Sequence, residues 1–492
     1  MNDSDRSTDA RLGTGLSGLD EITRGGLIPR RAYLIRGGPG SGKTTLGAQV
    51  LCAGSAERAL FVTLGETAAQ LRDNAERGGL SLDAVPILDL SPAEDTNASQ
   101  EAYSLLESWE VEGGAIHDRV IAHVREHRPE RVFIDSLSHL RYLTPDTFQF
   151  RKQVLSLLGQ LTAAGATVVA TAERGVGTDD EDLAFLVDGV IELRQIDSGR
   201  VCAVTKMRGS GFAEGAHHYA LGTGGMVVYP RLDPGDHGKD FVQESIGSGI
   251  EGLDALTHGG IERGTVTVLS GPSGVGKTSI GAHFMQEAAR RGERSVIYSF
   301  EERRGPFAHR LEQIGIPVFD LLEQGDLAFE YIEPLHYNPD RFALLVREAV
   351  ERDGVRVVML DSLSGYRQSV HGENVVGRVH ALCRYLVNMG VTVILVNEAR
   401  SLTGTELAAT EDGISYLADS IILLRYVEHD GALHKTITVL KKRTGDFEKT
   451  LHTFDFTPAG VEFGALTRGG PQGTLNGAAD ARDSAGQARD DH

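Results

Sequence analysis

Two segments of the chain place a lysine and hydroxyl side chains directly after a run of glycines. The first segment contains Gly37, Gly38, Gly40, Ser41, Gly42, Lys43, Thr44 and Thr45. The second contains Gly271, Gly274, Gly276, Lys277, Thr278 and Ser279. Each follows an apolar run typical of a strand and opens a helical stretch, which is the setting of a phosphate-binding loop. Because glycines let backbone N–H groups turn toward phosphate oxygens and lysine adds a cation, the segments predict two ATP sites.

Magnesium bound to such a nucleotide needs protein oxygen ligands, and each segment has a matching pair. The threonine hydroxyl of the loop is one ligand, and an aspartate at the end of an apolar strand is the usual second one. The predicted metal ligands are Thr44 with Asp135, in RVFIDSLS, and Thr278 with Asp361, in RVVMLDSLS. An aspartate at a strand end can also form a turn, but the paired occurrence favours the metal role. Ser136 and Ser362 are expected to hydrogen-bond nearby.

Hydrolysis also requires a carboxylate that orients or deprotonates the attacking group. The candidate catalytic residues are Glu301 and Glu302, after the strand SVIYSF, and Glu66, after the strand ALFVTL. A glutamate after a strand can equally lie in solvent without a catalytic role. Since Gly65 occupies the position that Glu301 has in the other segment, the two sites are not predicted to be equivalent.

A lysine and an arginine two residues apart occur once after each of these sites. The pairs are Lys206 with Arg208, in VTKMRGSG, and Lys441 with Arg443, in VLKKRTGD. On a strand, residues two apart face the same side, so each pair could project together toward a phosphate. The alternative is a solvated basic edge. Their recurrence favours a phosphate-binding role.

These residues belong to an internal repeat. LGTGLSGLDEITRGGL, beginning at Leu12, matches IGSGIEGLDALTHGGI, beginning at Ile246, and both copies alternate apolar strands with helical stretches. This pattern predicts an α/β fold in which each domain is a mostly parallel sheet with helices on both faces. The predicted segments are a flexible start (1–11), a first domain (12–230), a linker (231–245), a second domain (246–463) and a disordered tail (464–492).

Composition narrows the partners that the chain can have. The 69 acidic and 49 basic side chains leave a net charge of −20, which argues against a general affinity for nucleic acid. The sequence has no apolar stretch long enough to cross a bilayer, so we expect no membrane association and a cytoplasmic location. Cys52, Cys202 and Cys383 are far apart and are predicted to be small core side chains.

With these motifs in place, the chain resembles the KaiC family, the RecA-superfamily circadian clock ATPases and their non-clock relatives. The resemblance extends from Leu12 to about Phe463 and rests on the GLD…GG segments before each loop, FVTLGET, YSFEER, IDSLS, LDSLS and the Lys-x-Arg pairs. It implies two tandem RecA-like P-loop domains and two stacked rings of six subunits, with ATP between neighbours. It also implies ATP hydrolysis in the first domain and serine/threonine autophosphorylation in the second.

The resemblance also implies roles for individual residues. Both Lys/Arg pairs would reach ATP held by the adjacent subunit, with Arg378 assisting in the second ring. The first glutamate of each Glu-Glu pair in the family resembles a catalytic base, a position that is Gly65 here in the first domain and Glu301 in the second. Ser415 and Tyr416 stand where clock members carry adjacent serine and threonine phosphate acceptors, and the tail has no apolar segment for a clock partner. The sequence therefore does not predict a timekeeper.

The leading hypothesis is an ATP-dependent regulatory autokinase and ATPase that forms a homohexameric double ring and signals through unidentified protein partners. A nucleotide-gated scaffold with little turnover is the first alternative, which Gly65 favours and Glu301 opposes. A RecA-type DNA-dependent ATPase is the second alternative, and net acidity together with the lack of a basic arm disfavours it.

Overall fold

The protein is described from a computed structural model, which covers residues 11–91, 108–142, 146–173, 181–333, 336–370, 374–398, 416–429 and 431–465. The chain divides into two compact units, Met1–Arg231 and Leu232–His492. Most of the predicted flexible start and disordered tail, and the candidate acceptor Ser415, lie outside the described residues.

The first unit contains a nine-stranded sheet in the order β3-β2-β4-β5-β1-β6-β7-β8-β9. Reading along that order, every neighbouring pair from β3 through β2, β4, β5 and β1 to β6 is parallel. Every neighbouring pair from β6 to β9 is antiparallel. Its strands are β1 (Ala32–Gly37), β2 (Ala59–Thr63), β3 (Ile87–Asp89), β4 (Arg131–Asp135), β5 (Thr167–Glu173), β6 (Gly189–Ile196), β7 (Gly199–Met207), β8 (His217–Gly222) and β9 (Gly225–Tyr229). Its helices are α1 (Ser17–Ile22), α2 (Lys43–Cys52), α3 (Ala68–Arg77), α4 (Ser108–His127), α5 (Leu137–Tyr142), α6 (Thr147–Ala163) and α7 (Glu181–Leu186).

The second unit repeats this arrangement in a sheet of order β14-β13-β15-β16-β12-β17-β18-β19-β20. Its strands are β10 (Ser245–Ile246), β11 (Ile261–Glu262), β12 (Val266–Gly271), β13 (Ser295–Ser299), β14 (Leu327–Tyr331), β15 (Val357–Asp361), β16 (Thr392–Glu398), β17 (Ser420–His429), β18 (Ala432–Lys442), β19 (His452–Thr457) and β20 (Gly460–Ala465). Its helices are α8 (Glu251–Leu256), α9 (Lys277–Arg290), α10 (Arg304–Glu312), α11 (Val318–Gln324), α12 (Pro339–Glu351), α13 (Leu363–Ser369) and α14 (Val375–Asn388). The prediction of two tandem α/β domains with mostly parallel sheets is confirmed.

Apolar side chains cover both faces of each sheet. Along β1, Leu34 and Ile35 are buried in different clusters, and Val268 and Leu269 divide in the same way along β12. Successive residues of a strand point to opposite faces, so continuously apolar strands require a layer of helices on each side. This packing explains why the apolar runs of the sequence are strands.

The expectation that all three cysteines are core residues is wrong for Cys52. Cys202 and Cys383 are buried, but Cys52 is exposed at the end of α2, where its Sγ lies 3.5 Å from the carbonyl oxygen of Ser81. Only one stripe of α2 packs against the sheet, and Leu51 takes the buried position beside Cys52.

None of the helices in the described ranges is long and apolar enough to span a bilayer.

Candidate functional site

Each glycine-rich loop joins the end of a central strand to the start of a helix. β1 ends at Gly37 and α2 begins at Lys43, with Gly42 at a φ of 88° between them. β12 ends at Gly271 and α9 begins at Lys277 after Gly276, whose φ is 110°. These left-handed angles favour glycine, and they direct the loop toward the first backbone N–H groups of the helix.

The loop lysines are held over their own loops by backbone carbonyls. Lys43 Nζ donates to the carbonyl oxygens of Gly37 and Gly38, each at 3.0 Å. Lys277 Nζ donates in the same way to Gly271 at 2.9 Å and Pro272 at 2.7 Å. Each ammonium therefore lies where the end of a phosphate chain would enter the loop.

Burial lowers the pKa of both lysines, and nearby carboxylates oppose this effect. Asp135 and Glu173 are those carboxylates at the first site, and Glu398 is the strongest at the second. Sequence reasoning missed Glu173 and Glu398, which end β5 and β16 and pair in register with Gly37 and Gly271. The signal was present, because both copies end this strand with glutamate, in ATVVATAE and VTVILVNE.

The predicted metal ligands meet at the carboxyl ends of the central strands. Thr44 Oγ1 donates to Asp135 Oδ2 at 2.5 Å, and Thr278 Oγ1 donates to Asp361 Oδ2 at 2.9 Å. Thr171, which sequence reasoning missed, donates to the second oxygen of Asp135 at 2.5 Å. The sequence offered no signal for it, since the equivalent position in the second copy is a valine.

Electrostatics at the second site favour a cation beside Asp361. The pKa of Asp361 is raised to about 6, mainly by burial and also by the nearby Glu301, while the hydrogen bond from Thr278 acts in the opposite direction. A buried carboxylate is costly to ionise without a compensating charge. A divalent ion bound to this carboxylate would remove that cost.

The residues present fit a nucleotide with Mg²⁺. A Cβ added at Gly38 or Gly40 would meet no atom within 4 Å, so the loop leaves open space over its backbone. Hydroxyl and carboxylate oxygens are the ligands that Mg²⁺ prefers, and it normally takes only one or two from the protein beside substrate phosphates. The described residues hold no group of three or more His, Cys, Asp or Glu side chains placed to bind a metal ion.

A cleft of about 330 Å³ lies against the first loop. Its lining residues are Gly38, Pro39, Gly40, Ser41, Leu193, Arg194, Gln195 and Tyr219. Tyr219 donates its hydroxyl to the Ser41 carbonyl at 2.7 Å, and burial raises the pKa of that tyrosine to about 12. The Ser41 hydroxyl is buried and makes no hydrogen bond to the described residues.

The three candidate glutamates have different partners. Glu301 Oε1 accepts a hydrogen bond of 2.5 Å from Ser362, next to Asp361. Glu302 is paired with Arg310 at 2.6 Å. Glu66 accepts from Asn74 of α3 at 3.1 Å. Of the three, Glu301 is hydrogen-bonded directly to the strand end that carries a predicted metal ligand.

The Lys/Arg pairs lie near the amino ends of the parallel strands, whereas the phosphate loop of the same domain lies at the carboxyl ends. Lys206 pairs in register with Val190 near the start of β6, and Lys441 pairs with Ile421 near the start of β17. Their ammonium groups donate to the carbonyls of Ala184 and Ala418, each at 2.7 Å.

The arginines of these pairs lie just beyond the ends of β7 and β18. Arg208 lies 4.0 Å from Asp188, and Arg443 lies 3.2 Å from Asp419. The pairs lie where the parallel strands begin, and the loops lie where β1 and β12 end. Neither pair is therefore placed to contact the nucleotide of its own domain.

The remaining candidates of the second domain lie on other surfaces. Arg378 forms an ion pair of 2.8 Å with Asp340, which is only 1% exposed. Tyr416 is 52% exposed, its ring centroid lies 5.6 Å from that of His380, and its carbonyl accepts from Arg443 at 2.9 Å. Ser415, immediately before it, is outside the described ranges.

A mostly parallel sheet with a phosphate loop after one central strand, and at the end of another an aspartate hydrogen-bonded to the loop threonine, is typical of a P-loop ATPase of the RecA-like type. The chain contains two such domains. A family model described as "ATPase: KaiC" matches residues 12–233 and again residues 246–468. The chain therefore belongs to the KaiC ATPase family.

Characterised relatives align along nearly the whole chain. The circadian clock oscillator protein KaiC of Parathermosynechococcus lividus is 27% identical over 480 residues, which cover 93% of this chain and 86% of the relative. The circadian clock protein KaiC3 of Synechocystis sp. is 27% identical over 483 residues, covering 94% and 93%. KaiC of Synechococcus elongatus is 26% identical over 480 residues, covering 94% and 90%.

Proposed function

We propose that the chain is an ATP-hydrolysing regulatory protein whose second domain also phosphorylates its own chain. The observation that carries this proposal is the placement of Glu301 on Ser362, beside the Thr278–Asp361 pair. That arrangement brings a proton acceptor to the strand ends where a phosphate loop holds the terminal phosphate.

In the autokinase step a hydroxyl oxygen of the chain attacks the γ-phosphorus of ATP. The bond from that phosphorus to the bridging oxygen breaks, ADP leaves, and the hydroxyl proton passes to the Glu301 carboxylate. Lys277 stabilises charge on the transferring group, and Mg²⁺ held by Thr278 and Asp361 would neutralise the phosphate oxygens. Ser415 is the proposed acceptor. Tyr416 is the weaker candidate, because its longer side chain puts the oxygen several ångströms further from the backbone.

The position of the Lys/Arg pairs supports a ring in which each ATP lies between two subunits. Lys206 and Arg208 are far from the loop of their own domain, as are Lys441 and Arg443, yet both copies retain them. In a head-to-tail ring each pair would face the loop of the neighbouring subunit, and a rotation that closes gives a ring rather than a filament. The same proposal includes six subunits, a cytoplasmic location and signalling through bound proteins. The net charge of the chain, −20, argues against a DNA-dependent activity.

A nucleotide-gated scaffold is the second candidate, and Gly65 is the observation that favours it. The first domain has no carboxylate where the second has Glu301. Such a domain could bind ATP and hold a ring together with little turnover.

Incubation of the purified chain with γ-labelled ATP and Mg²⁺ tests the proposal. We expect released phosphate and label on the chain, with the label at Ser415 removed by Ser415→Ala and by Lys277→Ala. Tight nucleotide binding with neither released phosphate nor label would support the scaffold. Phosphate release without label would leave an ATPase that lacks the kinase step.

A further inference from the structure

The turn that follows the first helix of each domain is bound by a side-chain cation. Arg11 in the first domain and Lys442 in the second each donate to two backbone carbonyls of that turn. The acceptors of Arg11 are Thr23 at 3.4 Å and Gly26 at 3.2 Å, and those of Lys442 are Thr257 at 2.6 Å and Gly260 at 3.1 Å. These carbonyls are equivalent, because Thr-Arg-Gly-Gly of the first copy of the repeat aligns with Thr-His-Gly-Gly of the second.

The two cations occupy different positions of the repeat. Lys442 lies at the end of β18, and the register of the strands places Met207 of β7 at the equivalent position. Arg11 directly precedes the first copy, and Ser245 directly precedes the second. Neither position has a cation in both domains, so the same carbonyls are bound by side chains from different parts of the chain. A recurrence of this kind favours a required contact over an incidental one.

Both cations tie the end of the strand that carries a Lys/Arg pair to the turn. Lys442 stands between the two members of its pair, so its hydrogen bonds hold that strand end directly. Arg11 is not part of β7, but its other terminal guanidinium nitrogen donates to Ser210 Oγ at 2.8 Å, two residues beyond Arg208. In each domain the last residues of the strand are therefore connected to the segment that precedes the phosphate-loop strand.

The turn has little conformational freedom, so it can hold what is bound to it. Thr23 Oγ1 donates to the Leu19 carbonyl at 2.8 Å and accepts from the Gly26 N–H at 3.1 Å. Thr257 repeats both bonds in the second domain at the same distances. A Cβ on the last glycine of the turn would lie 2.4 Å from a backbone oxygen in the first domain and 2.1 Å in the second, so no larger residue fits there.

Burial strengthens the tie in the second domain. The Lys442 side chain is 3% exposed, and its Nζ lies 3.7 Å from a carboxylate oxygen of Glu262. Glu262 also accepts a hydrogen bond from Ser245 at 2.9 Å. A buried ammonium is costly unless its charge is paired and its N–H groups are hydrogen-bonded, so Lys442 has no favourable position away from these oxygens.

We infer that Lys442 and Arg11 are positioning residues, which fix the direction in which the Lys/Arg pairs extend from their strands. The inference rests on the proposed function, in which each pair reaches the nucleotide of a neighbouring subunit. The side chains of Arg443 and Arg208, just beyond the strand ends, are 50% and 56% exposed, so packing alone does not fix them. A misplacement of about 1 Å at a reacting phosphate can cost about 10²-fold in rate, which gives such a tie a measurable effect.

Turnover of the full-length chain carrying Lys43→Ala, which silences the first site, tests Lys442. In that background Lys442→Met removes the cation and leaves the residue that the first domain has at this position. We expect kcat to fall by about 10- to 10²-fold with little change in the KM for ATP, because the loop that binds ATP is untouched while the pair is misplaced. Lys442→Arg, which keeps the charge and the donors, should retain most of the turnover, and circular dichroism verifies that each chain is folded.

A chain without the pair separates positioning from a general effect on stability. Where Lys441→Ala/Arg443→Ala is already present, Lys442→Met should change the residual turnover by no more than about twofold, because no pair remains to be positioned and the effects of coupled residues do not add. A residue that only stabilised the domain would lower turnover by the same factor with and without the pair.

The first domain allows the reciprocal exchange. Arg11→Ser should loosen the end of β7, and Arg11→Ser/Met207→Lys, which puts the cation where the second domain has it, should hold it again. Hydrogen exchange of the backbone amides of residues 207–212, followed by mass spectrometry, measures this without relying on turnover. We expect faster exchange with Arg11→Ser alone and exchange close to that of the unmodified chain with the double variant.

Two outcomes would overturn the inference. One is a Lys442→Met chain that keeps kcat within about twofold of its background although Lys441→Ala/Arg443→Ala lowers it. The other is an equal loss with Lys442→Met whether or not the pair is present. Failure of the proposed function would look different, because Lys441→Ala/Arg443→Ala by itself would then leave turnover unchanged.

Discussion

Glu301, Glu302 and Glu66 are chemically alike, but their hydrogen-bond partners separate them. Glu301 is bound to Ser362, whereas Glu302 is neutralised by Arg310 and Glu66 is held against α3 by Asn74. Only the first of these contacts leads to the strand end that carries Asp361. The catalytic roles should therefore divide between the glutamates in the same way.

We expect Glu301→Gln to lower turnover at the second site by about 10²- to 10⁴-fold, since glutamine keeps the hydrogen-bonding shape but cannot accept a proton. Phosphate release in a Lys43→Ala background measures this site alone. Glu66→Gln, in the Lys277→Ala background, is the control and should change turnover at the first site little. A large loss with Glu66→Gln and a small one with Glu301→Gln would reverse the assignment.

At the scale of elements, the helix that follows each phosphate loop is pressed against the sheet at a glycine. A Cβ added at Gly47 of α2 would lie 2.0 Å from the ring of Phe133 on β4. At the equivalent Gly281 of α9 it would lie 2.4 Å from Met359 Sδ on β15. A buried aromatic ring cannot move aside easily, while a methionine side chain has three rotatable bonds.

Gly47→Ala should destabilise the first domain by about 1–3 kcal/mol, the usual cost of overpacking a core. Gly281→Ala should cost much less, because Met359 can shift and alanine gains up to about 1 kcal/mol of helix propensity. Urea unfolding of the full-length variants, followed by circular dichroism, compares the two. Equal destabilisation would mean that the backbone of each helix, rather than the neighbouring side chain, sets the tolerance.

The strand ends that carry Lys206 and Arg208 should act on a neighbouring subunit. A chain with Lys206→Ala/Arg208→Ala is expected to bind ATP but hydrolyse it slowly, and a Lys43→Ala chain is expected not to use its first site. The two chains are then mixed, each also carrying Lys277→Ala to silence the second site. At some interfaces the intact loop of one chain will face the intact Lys/Arg pair of the other. Turnover above that of either chain alone is the expected result, whereas strictly additive rates would place the pair within its own subunit.

At the scale of the whole molecule, the proposed ring would hold ATP between subunits and so would couple assembly to nucleotide. We expect mass photometry with saturating Mg-ATP to show a particle of about six 52.9 kDa chains, which falls apart when nucleotide is removed. Lys43→Ala/Lys277→Ala should weaken this assembly, because both loops lose their main phosphate contact. Monomers alone at saturating Mg-ATP would contradict the ring.

Short stretches of sequence were enough to predict both phosphate loops, the Thr–Asp pairs, the strands of the parallel sheets and the repeat. Short contiguous segments determine each of these features, because the conformation of glycine and the apolar pattern of a strand depend on neighbouring residues. Repetition strengthened them further, since the same spacing occurs twice in one chain.

Only the tertiary structure brought together residues that are distant in sequence. Ser362 and Glu301 are 61 residues apart and meet because β13 and β15 are adjacent in the sheet. His139 reaches the space above Gly65 for the same reason, as β2 and β4 pair in the first domain. In the sequence alone, Gly65 is a position without the carboxylate that Glu301 supplies in the second copy, and His139 is one histidine after a strand. Their closeness depends on strand order and packing space, which no local pattern encodes, so it could be recognised only in the folded sheet.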